Sequence, residues 1–162
     1  MVRAHLMLFS ILPLITLTGL ASPLGAQDAD QQIRALTEKF CHAMEEGDLS
    51  ILDEMFDLSP GNVFYDINEG PLTPERLKRV WSAATTNYDI QRFAFTETDV
   101  RVDGERALQT GSWEQTQAAK SGETRDISGR ATILWKKTPD GWKVYHYHAS
   151  VTPPRPRQSS SR

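Results

Sequence analysis

His146 and His148 lie two residues apart in the run Trp142-Lys143-Val144-Tyr145-His146-Tyr147-His148-Ala149-Ser150. The alternation predicts a strand, in which successive side chains point to opposite faces. On that pattern Trp142, Val144, His146, His148 and Ser150 share one face, and Lys143, Tyr145 and Tyr147 take the other. A face that opens with Trp and Val is expected to look inward, so both histidines are predicted to line a cavity. There they could act as acid and base, as metal ligands, or as hydrogen-bonding wall residues. A convincing metal site needs a third and fourth ligand, and Asp66 is the only obvious one nearby. His5 lies in the apolar N-terminal segment and His42 on a predicted helix. No metal and no cofactor are therefore expected.

Asp66 ends a short apolar strand predicted over 63–67. Burial could raise the pKa of such a carboxylate until it moves a proton between carbons. It could equally be a strand-end residue that caps backbone N–H groups. Arg130 and Thr132 alternate with Ala131 and Ile133, so they share a face with Leu134. If that face is concave, Arg130 is a cation paired with Asp66 or offered to an anionic ligand; otherwise it sits on the outer sheet. Tyr65, Trp81 and Trp113 complete the expected ligand wall, and their rings suit a flat or greasy organic molecule. There is no Gly-rich phosphate loop and no G-x-S-x-G elbow. Cys41 is the one cysteine. Inside a helix it is a poor nucleophile, and no intramolecular disulfide can form.

The elements that must position these residues follow from periodicity. Ile33, Leu36, Phe40 and Met44 recur at helical spacing, predicting an amphipathic helix over 30–46 that Gly47 ends. Asp48 can cap a second short helix with Leu49, Leu52, Met55 and Phe56 on its apolar face. After the Ser59-Pro60-Gly61-Asn62 turn comes the strand carrying Asp66. Thr73 caps a third helix with Pro74 at its first position and Leu77, Val80, Trp81 and Ala84 inside. From Tyr88 the period switches to that of strands, predicted over 90–102, 106–117, 125–137 and 142–151. Asp103-Gly104, Lys120 to Glu123 and Pro139-Asp140-Gly141 form the turns between them. Helices followed by an antiparallel meander predict an α+β fold, with the helices on one face of a curved sheet.

Of the 162 residues, the first 26 read as a secretory signal: Arg3 and His5, an apolar run from Leu6 to Leu20, then small residues. Cleavage is expected after Ala21 or Ala26, with export to a periplasm or the extracellular space and no membrane contact afterwards. The run is short for a bilayer span and is broken by Pro13 and Gly19. Residues 27–151 make one domain, and 152–162, rich in Pro, Arg and Ser, are expected to be disordered. A net charge of −3 without a basic stripe argues against nucleic acid as partner.

Three local motifs refine the fold. Glu46-Gly47-Asp48-Leu49, with Leu52 and Met55-Phe56, forms a helix-to-helix junction, and Val63-Phe64-Tyr65-Asp66 forms the strand after it. Thr132-Ile133-Leu134-Trp135, Asp140-Gly141-Trp142 and His146 to Ser150 make up the third. With the element order, they resemble the nuclear transport factor 2-like superfamily and, within it, the SnoaL-like proteins. The last run is similar to the association domain of calcium/calmodulin-dependent kinase II and its bacterial stand-alone relatives. The resemblance spans the mature domain and implies a cone whose sheet curls around a deep pocket and pairs with a second copy. In the ketosteroid isomerases of this superfamily the general base is a carboxylate at the position of Asp66. Their oxyanion-holding Tyr falls at Phe40 here, which donates no hydrogen bond, and Arg130, Ala131 and Thr132 offer no second acid. Some dehydratases of this fold use His with Asp and Tyr, types that Tyr65, Asp66, His146 and His148 supply. Three functions are compatible with the resemblance: binding of a small organic molecule, cofactor-free lyase or isomerase chemistry through Asp66 and the histidines, or homo-oligomeric assembly.

Overall fold

A computed structural model describes residues 23–67 and 69–153. The apolar run of the expected signal segment and most of the expected disordered tail, 154–162, lie outside the described residues. Helix α1 (Pro23–Glu46) begins seven residues before the predicted start. Pro23 suits a first helical turn, where its missing N–H costs no bond. Ala29, Ile33, Thr37, Phe40 and Met44 form the buried stripe. Gly47, at φ 71°, ends the helix. Its N–H donates to the Met44 carbonyl at 3.3 Å and that of Asp48 to Ala43 at 2.8 Å, the paired closure that only a left-handed residue permits cheaply.

Helix α2 (Ile51–Met55) is a single short stretch, and Asp48 Oδ1 accepts the Ser50 N–H at 2.9 Å just before it. Strand β1 (Phe64–Asp66) pairs with a short strand that the sequence pattern does not predict, β2 (Glu69–Leu72). Its Gly and Pro hide any strand pattern, and it sits at the sheet edge, where Pro is tolerated. Helix α3 (Pro74–Asn87) starts at Thr73, whose Oγ1 accepts the Arg76 N–H at 3.4 Å. The meander follows as β3 (Tyr88–Asp103), β4 (Arg106–Ala119), β5 (Thr124–Thr138) and β6 (Gly141–Val151).

The strands form one sheet in the order β2-β1-β6-β5-β4-β3. Among the described strands only the β1–β6 pairing is parallel, and it lays Phe64 beside Tyr147 and Tyr65 beside His148. Irregular pairing in β3 at Ile90/Arg92 and Thr96/Asp99, and between β5 and β6 at Leu134/Trp135, bends the long strands. The sheet thus curves around α1 and α3 without closing. A buried network fastens α1 to it: Gln109 Nε2 donates to Thr37 Oγ1 at 3.1 Å, and Trp135 Nε1 donates to Gln109 Oε1 at 2.9 Å.

The β5–β6 irregularity corrects the expectation from sequence. Leu134 pairs with His146 but Trp135 pairs with Val144, so Tyr145 is an extra residue on β6. An extra residue inverts the alternation beyond it. Trp142 and Val144 face inward as expected, and past the bulge Tyr147 and Ala149 are the buried residues. His146, His148 and Ser150 face outward. The bulge buries a Tyr and an Ala and spares two imidazoles the cost of desolvation.

Candidate functional site

Between the concave side of the sheet and the helices lies a cavity of about 290 Å³. That is the lower end of the range for small-molecule sites. Its walls are aromatic and aliphatic: Phe40 and Met44 from α1, Trp81 from α3, Phe93 and Phe95 from β3, and Trp113 from β4. The rings meet edge to face or tilted, with centroids 5.0 Å apart for Phe40–Trp81 and 6.3 Å for Phe93–Trp113. Gly129 lies opposite Trp113 in the β4–β5 ladder, and a Cβ there would come within 2.6 Å of the indole. Glycine is therefore what lets Trp113 lie flat across β5.

Two polar groups are built into this wall. Asp66 and Tyr147 form the first. The Tyr147 hydroxyl donates to Asp66 Oδ1 at 2.6 Å, and the Ile67 N–H donates to the same oxygen at 2.8 Å. Among the described residues no hydrogen bond reaches Oδ2. Burial first, and the neighbouring Asp66 carboxylate second, push the Tyr147 phenol well above its ordinary range, so it stays protonated and acts as a donor. The second group is Arg125 with Gln117 and Gln115. A guanidinium carries only donors, so we assign the buried Gln117 amide with its oxygen toward Arg125, 2.6 Å from Nη2 and 2.7 Å from Nε; its nitrogen then lies 2.6 Å from the Gln115 amide, which turns with it to accept. The arginine also stacks on Tyr88, 4.9 Å from the ring centroid. Arg125 and Glu69 are the exposed members of the lining and mark where the cavity opens. Glu69 is held by Arg76 at 2.7 Å.

Trp81 and Trp113 carry one more feature. Both are more than nine-tenths buried, and neither indole N–H has an acceptor among the described residues. The Trp142 indole, outside the cavity, is likewise buried without an acceptor, and none of these three nitrogens is open to solvent or to the cavity space.

Of the residues singled out from sequence, the structure brings Asp66, Trp81 and Trp113 to the cavity. Tyr65, Arg130, Thr132, His146 and His148 lie instead on the convex face. Arg130 and Thr132 alternate with Ala131 and Ile133, which are the buried pair. Tyr65 is 41% exposed and meets both imidazoles edge-on, at 6.1 Å from His146 and 5.8 Å from His148. His146 Nδ1 is 2.9 Å from the Val63 carbonyl, a bond that ties β6 to the approach of β1. Asp66 and the histidines therefore occupy opposite sides of the sheet and share no site. No cluster of three or more metal-ligating side chains occurs among the described residues, and no described helix is long and apolar enough to cross a membrane. Burial pushes the Cys41 thiol up to about 12, which leaves it unreactive.

Tyr147 and Arg125 are not legible in the sequence, for different reasons. Strict alternation turns Tyr147 outward. The available signal is a conflict: Trp142 and Val144 claim one parity, Tyr147 and Ala149 the other, and only a bulge serves both. Arg125 sits at the start of a strand, where a charged residue looks like part of a turn.

A helix-lined cavity inside a curved, unclosed α+β sheet is the architecture of the nuclear transport factor 2-like proteins. Several solved structures share it. A superfamily member from Salmonella enterica aligns over 83% of this chain and 99% of its own, with TM-score 0.70 and 17% identity. A candidate calcium/calmodulin-dependent kinase II association domain from Xanthomonas campestris aligns over 76% and 87%, with TM-score 0.65 and 21% identity. A candidate dehydratase from Streptomyces avermitilis aligns over 79% and 99%, with TM-score 0.66 and 22% identity. The family model for the SnoaL-like domain matches residues 33–154, and the chain belongs to that family. No curated protein matches the sequence.

Proposed function

We propose that this domain binds a small, largely apolar organic molecule inside the sheet. The carrying observation is the cavity of about 290 Å³, walled by aromatic and aliphatic side chains with polar groups at only a few points. A ring system would fill the space between Phe40, Trp81, Phe93 and Trp113 and stack against their faces and edges. The neutral probe 2-naphthamide is flat and carries one carbonyl acceptor. Calorimetry is expected to show single-site binding that is lost in Ala131→Phe, which fills the cavity from its wall. Absence of binding, or binding that survives Ala131→Phe, would overturn the reading.

The Asp66–Tyr147 pair favours a second reading, a cofactor-free isomerase or lyase. Asp66 Oδ2 would take a proton from a carbon beside a carbonyl, while Tyr147 stabilises the carboxylate that does so. Phe40 stands against it, since it supplies no donor where the isomerases of this fold have one. Asp66→Asn separates the two: binding of 2-naphthamide persists on either account, whereas any turnover disappears only if Asp66 is the base. We further infer export through the N-terminal apolar segment and pairing with a second copy through the convex face. Tyr65, His146, His148, Arg130 and Thr132 then belong to that contact.

A further inference from the structure

Arg125 stands out among the charged residues of the cavity. Glu69 is occupied by Arg76, and Asp66 by Tyr147 and the Ile67 N–H. Arg125 has no carboxylate within 4.0 Å among the described residues. Its neighbour Asp126 is turned to the other side of β5, where it accepts from Thr116 Oγ1 at 2.7 Å. Yet Arg125 is not a loose surface side chain. Gln117 grips its Nε and Nη2 from inside the cavity, and Tyr88 lies under its plane. A guanidinium has a second fork, formed by Nη1 and the remaining N–H of Nη2, and this edge is left over. Holding the group by one edge pre-orients the other, which lowers the ordering cost of gripping a ligand.

We propose that Arg125 makes the cavity selective for aromatic monocarboxylic acids, with the ring among the buried tryptophans and the carboxylate on the guanidinium at the mouth. This rests on the cavity-binding reading and sharpens it to a substrate class. A carboxylate matches the free fork in shape and charge, and a neutral amide of the same body matches neither. Asp66 opposes this preference, being a carboxylate in the same cavity, so an anion is favoured only with its charge at the Arg125 end. The acid must then enter ring first.

The test is calorimetric titration of the full chain with 2-naphthoate and with 2-naphthamide, at neutral pH and low salt. The wild type is expected to bind the acid about ten-fold more tightly than the amide. Arg125→Met should erase that difference while 2-naphthamide still binds, which also shows that the variant is folded. Arg125→Lys keeps the charge and loses the fork, so it should retain part of the preference. Should Arg125→Met not fold, the lysine variant and the loss of preference at high salt test the same fork. Equal affinities in the wild type, or a preference that survives Arg125→Met, would overturn the assignment and leave cavity binding standing. Failure of both probes to bind would instead overturn the cavity reading itself.

Discussion

At the scale of single residues, the centre of this protein is the contact between Tyr147 and Asp66. A phenol buried against a carboxylate cannot ionise without placing two negative charges together out of water. Its pKa therefore rises, and the folded chain keeps the proton where the unfolded chain has released it. The sign follows directly. The contribution to stability is complete below the ordinary tyrosine value of about 10 and is lost as pH rises past it toward the folded value. Tyr147→Phe removes both the bond and the titration. We expect it to cost about 1.5–3 kcal/mol near neutrality, the range for hydrogen bonds to charged groups. Urea midpoints measured at increasing alkalinity should show the wild type's advantage over Tyr147→Phe narrowing. A gap constant across the alkaline range would mean that the phenol is not held as described.

At the scale of elements, strand irregularities decide what the cavity contains. Without the extra residue at Tyr145, β6 would send His146 and His148 inward, the arrangement that regular alternation predicts. The helices, the four long strands and the turn at Gly47 are legible in the sequence because each rests on local signals: periodicity, caps and turn residues. Asp66 is legible too, since a lone carboxylate at the end of an apolar strand invites a role. The facing of β6 is not, because a bulge is settled by which pairs of residues pack across strands. Strand β2 is hidden by its Gly and Pro. Gly129 gives this scale its own prediction. An added Cβ would press into the Trp113 ring and the Ser150 backbone, so Gly129→Ala should lower stability by about 2–3 kcal/mol, as overpacking a fixed core does. Thermal unfolding reads this, and a neutral substitution would show that Trp113 does not lie across β5.

At the scale of the whole molecule, the sheet has two chemically different faces. The concave face closes with the helices around the cavity, and the convex face presents Tyr65, His148, Arg130 and Thr132. If that outer face pairs two copies, an added charge beside Arg130 should repel its counterpart across the contact. Thr132→Arg is then expected to weaken dimerisation by about ten-fold or more, read by light scattering across a dilution series, with 2-naphthamide binding unchanged. A monomeric wild type, or a dimer indifferent to the substitution, would remove the convex face from the account. The concave face can be tested more sharply, because the four tryptophans report on it separately. Trp81 and Trp113 line the cavity, and Trp135 and Trp142 are buried outside it. The decisive measurement is the nitrogen–proton spectrum of the indole groups, assigned by single Trp→Phe variants, as 2-naphthamide is added. Binding in the cavity predicts that the Trp81 and Trp113 signals move as the probe's ring packs against them, while those of Trp135 and Trp142 stay in place. Four unmoved indoles, or shifts confined to Trp135 and Trp142, would contradict it.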